Sequence, residues 1–118
     1  MNVVNIQSRF GLFQEYWSPK IVGELNGQYV KLAKFKGEFV WHHHESEDEL
    51  FLVMRGSLRI LLEDRELKLK EGEFTIIPKG VRHCPIADEE AHILLLEPKG
   101  TVSTGEVQND KTTQGDWL

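Results

Sequence analysis

A single cysteine, Cys84, stands in the whole chain. It has no intramolecular partner, so a disulfide framework is excluded and nothing points to an oxidising compartment. A basic excess is also lacking: 14 Lys and Arg face 19 Asp and Glu, giving a net charge of −5 with neutral histidine. The cations are scattered, which excludes the basic surface that nucleic acid or an anionic membrane would need. Long apolar runs are missing too. Stretches such as Ile93 to Leu96 fall far short of the roughly 20 residues that cross a bilayer. The start, Met1-Asn2-Val3-Val4-Asn5, has neither the basic region nor the apolar run of a signal peptide, so a cytoplasmic location is the expectation. Helical periodicity is scarce as well.

What the sequence does hold is strand signal. The 118 residues, 40% hydrophobic and 28% charged, suit one globular domain able to bury its own core. Short runs rich in Val, Ile, Leu and Phe span Gln28 to Phe35, Glu38 to His43, Leu50 to Met54, Leu58 to Leu62, Glu66 to Leu69, Glu73 to Ile77 and His92 to Leu96. Gly37, Gly56, Glu63-Asp64, Gly72 and Pro78-Lys79-Gly80 fill the gaps. Leu58, Ile60 and Leu62 share one face of their run and Ser57 and Arg59 the other, the alternation of a half-buried strand. Glu63-Asp64-Arg65 reads as a hairpin connection. The expectation is an all-β barrel or sandwich, with a core over about 28–100, an N-terminal extension over 1–27 and a C-terminal tail over 101–118.

Both ends are harder to read. Phe10, Phe13, Tyr16 and Trp17 are spaced loosely like a helical face before Pro19, which fits a helical turn or an aromatic flap over the barrel. The polar tail suggests a mobile terminus; the competing expectation packs Trp117 and Leu118 on the barrel or on a neighbouring subunit.

Chemistry concentrates in two blocks. His42 and His44 are two apart in an apolar run, so as strand residues they point to one face while His43 points away. After the polar turn Glu45-Ser46-Glu47-Asp48, Glu49 opens the next strand and can return to that face in an antiparallel hairpin. Downstream, Pro78 and Gly80 fix a turn that aims His83 inward. Three imidazoles and a carboxylate suit one divalent ion such as Zn, Fe, Mn, Ni or Cu and leave coordination positions open for substrate. Phe51 and Val53 share the phase of Glu49 and line the interior. Cys84, next to His83, faces the other way as a buried structural thiol.

Gly37, His42, His44, Glu49 and Gly56, then Gly72, Pro78, Gly80 and His83, resemble the two motifs of the cupin superfamily of the RmlC-like type. Two departures stand out: four residues rather than five follow Gly37, and Ala87 occupies a place that is often Asn. The resemblance runs over roughly Tyr29 to Gly105 and is strongest to small one-domain bacterial members. It implies a double-stranded β-helix, or jelly-roll barrel, with metal ligands His42, His44, Glu49 and His83, commonly as a homodimer. The outward row Leu50, Leu52 and Met54 is the expected dimer face.

Two classes of function fit. A metal-dependent enzyme would act on a small carbonyl, hydroxy-acid or sugar-like substrate, as an isomerase or epimerase or as a dioxygenase. A non-catalytic binding or sensor module would use the ion as a handle for a small ligand. Turnover separates the two. No further carboxylate or lysine stands out as a dedicated base, and no basic cluster suits a phosphate.

Overall fold

The computed structural model describes residues 1–118. Asn5 opens a one-turn helix, α1 (Ile6–Phe10), because its side-chain oxygen accepts from the Ser8 amide at 2.9 Å and satisfies a free helix N–H. Eight strands follow: β1 (Lys20–Leu25), β2 (Gln28–Glu38), β3 (Glu49–Arg55), β4 (Ser57–Leu62), β5 (Glu66–Lys70), β6 (Phe74–Ile77), β7 (His83–Pro98) and β8 (Asp116–Trp117). The fold is all-β, a jelly roll, as expected. No helix is long and apolar enough to cross a membrane.

The organising element is β7. Its first part pairs with β4 (Leu62 with His83), its last part with β3 (Leu50 with Leu96), and β2 runs antiparallel along its other side. One strand therefore stitches both halves of the barrel. Alternation along it sends Ala91, Ile93 and Leu95 inward, against Phe51 and Val53 of β3 and Leu58 and Ile60 of β4. Gly56 joins β3 to β4 at a φ of 85°, and a Cβ there would lie 3.0 Å from the Glu90 carbonyl, so both the turn and the space demand glycine.

Several strand expectations need correction. The run Glu38 to His43 is not a strand: β2 ends at Glu38, and the next residues touch the barrel through Phe39 to Pro85 and a single bridge between His42 and His83. Consequently Glu49 returns to the site without the expected hairpin, since β3 pairs with β6 and β7. β1 and the first half of β7 carry little sequence signal, because Gly23 interrupts one while Pro85 and the acidic Asp88-Glu89-Glu90 interrupt the other. Those acidic residues sit where the β2–β7 register shifts between Phe35 and Gly37.

Both N-terminal alternatives hold in part. α1 is the helical turn, and its Phe10, with Phe13, covers Leu32 on the outer side of β2 in a second apolar cluster. That explains why residues 31–35 are buried without alternation. Trp17 enters the barrel instead. It stacks on Phe35 at 4.2 Å and on Phe39 at 4.6 Å, and its Nε1–H donates to the Lys36 carbonyl at 2.9 Å. Its φ of 58° is unusual for a bulky residue and is held by this packing. The tail corrects the expectation of a mobile terminus. Asp116 and Trp117 pair in parallel with Lys20 and Ile21, the Leu118 amide donates to the Ile21 carbonyl, and the Leu118 side chain joins the second cluster.

Candidate metal centre

The segment after β2 presents His42 and His44, β3 presents Glu49 at its first position, and β7 presents His83 at its first position. One ligand atom from each lies within 4.8 Å of all the others, and all four residues are buried. His44 Nε2 stands 3.3 Å, and His83 Nε2 3.4 Å, from Glu49 Oε1. Two donors sharing one ion at about 2.1 Å lie roughly 3.0–3.4 Å apart. His44 Nε2, His83 Nε2 and Glu49 Oε1 are also buried without a well-formed hydrogen bond. Natural proteins rarely leave such atoms orphaned, and a shared cation satisfies them together.

Outer contacts aim the rings. His42 Nδ1 donates to the Val40 carbonyl at 2.8 Å and His83 Nδ1 to the Val81 carbonyl at 2.9 Å. Each bond fixes the tautomer that leaves Nε2 as an acceptor, the arrangement typical of metal-bound histidine. His43 points away as expected: its Nε2 meets Glu45 at 2.5 Å and its amide donates to Glu106 at 2.8 Å. Cys84 is fully buried, and burial, followed by nearby Glu38, pushes its thiol up to about 11, consistent with an unreactive structural role.

The electrostatics favour a cation. Burial, then His83, pushes His42 down to about 4, so its ring is neutral at physiological pH. Burial opposes charging of His44, but the Glu49 carboxylate outweighs it and raises the pKa above its ordinary value. Burial likewise resists ionisation of Glu49, yet His44 and His83 hold its pKa below the usual carboxylate range.

Sequence reasoning missed a second buried carboxyl. Leu50 pairs with Leu96, so one step along the ladder sets Glu97 beside Glu49. Lys31 of β2 donates to Glu97 Oε2 at 2.8 Å, with the two side chains only 1% and 3% exposed. Burial and then Glu49 raise the Glu97 pKa well above normal, while Lys31 opposes them. A divalent ion on Glu49 would remove that repulsion. The available signal was phase: Glu97 continues the inward series Ile93 and Leu95.

Glu49, His42 and Glu97 line a pocket of about 380 Å³, its mouth included, walled by Trp17, Phe39 and Phe51. The space in it open to the centre of a water-sized sphere is only about 30 Å³, room for about two water molecules.

The tail clamps the site from outside. A Cβ on Gly105 would fall 2.0 Å from the His43 carbonyl and 3.2 Å from His42 Cδ2, at a φ of 58°. Gly105→Ala is expected to displace the tail, lower the melting temperature by several degrees and weaken divalent-ion uptake, as read by calorimetry. An unchanged melting curve would contradict this contact.

A jelly-roll barrel with three histidines and a glutamate gathered at one point inside it defines the class. The Cupin domain model matches residues 28–97, more than half of the chain, so the chain belongs to the cupin family. It is 46% identical over 63 residues to the uncharacterized protein YdbB of Bacillus subtilis, covering 52% of this chain and 56% of that one. The chain thus spans about half the length of the curated relatives it matches. Among solved structures, it resembles a cupin-2 domain containing protein from Shewanella frigidimarina, with 47% identity and a TM-score of 0.80 over 81% of this chain and 94% of that one. It also resembles protein NMB1881 from Neisseria meningitidis, with 26% identity and a TM-score of 0.76 over 82% and 99% of the two chains.

Metal retention by this site should fall with pH. The raised pKa of His44 lets protons compete for it from above the ordinary histidine value of about 6.5. Each proton displaced by the ion costs about tenfold in affinity per pH unit. His42 joins the competition only near 4. Equilibrium dialysis is expected to show affinity declining from neutral pH downward and steepening at the acid end. Retention unchanged at about pH 4 would contradict imidazole ligation.

Proposed function

We propose that this cupin barrel holds one divalent transition metal ion on His42, His44, Glu49 and His83 and works as a metal-dependent enzyme on a small carbonyl, hydroxy-acid or sugar-like compound. The observation carrying this reading is the convergence of four buried ligand atoms beside an aromatic-walled pocket. When bound, the ion would supply Lewis acidity toward paired substrate oxygens, or dioxygen chemistry if it is iron. The chain's own residues supply the rest. Trp17 and Phe39 exclude water, and Phe51 gives an apolar wall. No Arg or Lys lines the pocket, and Lys31 beside it is already paired with Glu97, which disfavours a phosphorylated substrate.

Metal analysis of the protein as isolated, with anomalous scattering to place the ion, tests the site. Oxygen uptake or product formation, abolished in His83→Ala, tests the activity. Saturable binding without conversion would turn the reading toward a non-catalytic module. Absence of any divalent-ion uptake would sink it.

We also propose a homodimer. Leu50, Leu52 and Leu96 face outward and are half-buried, beside exposed Phe74 and Ile76. Met54 drops out of the expected row, since it packs against the Phe10 cluster. An apolar patch of this kind favours association with a second copy. Sedimentation at micromolar concentration is expected to give a dimer, weakened by Ile76→Glu. A strict monomer would refute the proposal.

A further inference from the structure

A second group of charges lies on the face of the sheet opposite the barrel core. Ala33 and Phe35 of β2, and Ala91 and Ile93 of β7, point into the core, so Lys34 and His92 between them point out. The register sets Lys34 opposite His92, and Arg55 of β3 opposite the same His92 from the other side. Two cations thus flank one imidazole in a row across three neighbouring strands. Like charges gathered on one sheet face cost stability rather than add to it.

Packing gives no reason for this row. Lys34 is only 6% exposed, yet it forms no ion pair; its Nζ donates to the Phe13 carbonyl at 2.8 Å, which leaves two of its three N–H groups over. The Phe13 ring, 5.3 Å from Nζ, offers a face but no full charge. A buried ammonium without a counter-ion is costly. Glu90 is already taken, since its Oε1 accepts from the Tyr16 hydroxyl at 2.7 Å and its Oε2 from His92 Nε2 at 2.8 Å. Arg55 is exposed and has no acidic partner either.

Lys34, Arg55 and His92 line one groove of about 1350 Å³, its open mouth included, beside α1. Its remaining wall is largely apolar, built from Ile6 and Phe10 of α1 and Met54 of β3. Phe10 stacks on the His92 ring at 4.5 Å and so ties α1 to the row. The groove shares no residue with the metal centre or its pocket.

We propose that this groove is a second binding site, one that takes a small monocarboxylate with an apolar body. The carboxylate accepts from Lys34 and Arg55, and the hydrocarbon lies against Ile6, Phe10 and Met54. Bidentate acceptors of this kind suit a cation pair, and the bound anion supplies the counter-charge that Lys34 lacks. Glu71 and Glu90 also border the groove and repel a dianion more strongly than a monoanion, so a single negative charge fits best.

Calorimetric titration of the full chain with hexanoate, hexanol and inorganic phosphate tests the site, with amide NMR shifts to place the ligand. Hexanoate is expected to bind at least about tenfold tighter than hexanol, the worth of a hydrogen bond to a charged group. It is also expected to bind tighter than phosphate. Shifts are expected at residues 6–11, 54–56 and 90–92 and are expected to persist in His83→Ala, which separates this groove from a carboxylate held inside the barrel. Lys34→Met keeps the chain length, removes the charge and is expected to weaken hexanoate at least about tenfold. Arg55→Glu, at an exposed position, is expected to leave the melting temperature nearly unchanged and to weaken hexanoate at least about threefold. If Lys34→Met does not fold, Arg55→Glu decides alone. Absence of hexanoate binding in the wild type, binding left unchanged by the folded variants, phosphate binding tighter than hexanoate, or shifts confined to 42–49 would each overturn the proposal.

Discussion

Replacement of His83 by alanine is expected to lower divalent-ion affinity by at least about a hundredfold and to abolish the gain in melting temperature that the ion confers. Loss even of a group that merely orients a ligand costs roughly 10–100-fold in metal affinity, and His83 is a proposed ligand itself. Its position sharpens the expectation. His83 begins β7, bridges to His42 through reciprocal amide–carbonyl bonds at 2.9 and 3.0 Å, and stands 3.4 Å from Glu49 Oε1. The backbone bonds survive the substitution, so the barrel persists and the effect isolates the imidazole. Ion binding stabilises the folded state by mass action, so a variant that cannot bind melts at the same temperature with and without the ion. Calorimetry with added Zn²⁺ or Co²⁺ reads both effects. Equal affinity in wild type and variant would remove His83 from the site.

Trp17→Ala is the second large effect, and it acts on the fold. The indole is 8% exposed, lies between Phe35 and Phe39, and anchors its N–H on the Lys36 carbonyl. Deleting a buried aromatic side chain of this size costs about 3–5 kcal/mol. For a domain of this length that corresponds to a fall in melting temperature of roughly 10–20 °C. Because Trp17 also walls the pocket, the variant is expected to admit larger ligands. Denaturant unfolding checks the first part; a loss below about 1 kcal/mol would mean that the indole is not integral to the core.

How much of this was legible in the sequence follows from where each side chain gets its direction. His42 and His44 show themselves because residues two apart in extended chain share a face, although this stretch is held by one bridge and is not a regular strand. Glu49 shows by its spacing from them, and His83 because Pro78 and Gly80 fix the turn before it. The hairpin inferred between His44 and Glu49 failed, although the ligands still met. Their convergence is imposed by β7 and its partners rather than by adjacent pairing. Glu97 and Lys31 stayed hidden for a related reason. Each is in phase with inward neighbours, Glu97 with Ile93 and Leu95 and Lys31 with Ala33 and Phe35, yet reads as an ordinary polar residue at the end of its run until the register of β2 and β3 on β7 buries the pair. Trp17 and the tail were ambiguous because their structure comes almost wholly from distant contacts, which leave no period in the chain. The outward Leu32 had the pattern of a surface residue on a two-layer sheet until Phe10 and Phe13 covered it.

The long strand β7 carries His83 at one end and Glu97 at the other, with the register shift opposite Phe35 and Gly37 between them. Side chains alternate along it, so parity decides which of the two faces the interior. A single inserted or deleted codon on either side of that shift would turn one end of the strand inside out, expelling either a proposed ligand or the acid beside it. Ligand and acid can diverge independently by substitution, yet they are locked together against change in length. Relatives with altered pocket chemistry are therefore expected to differ here in residue identity while keeping the same count from one end to the other.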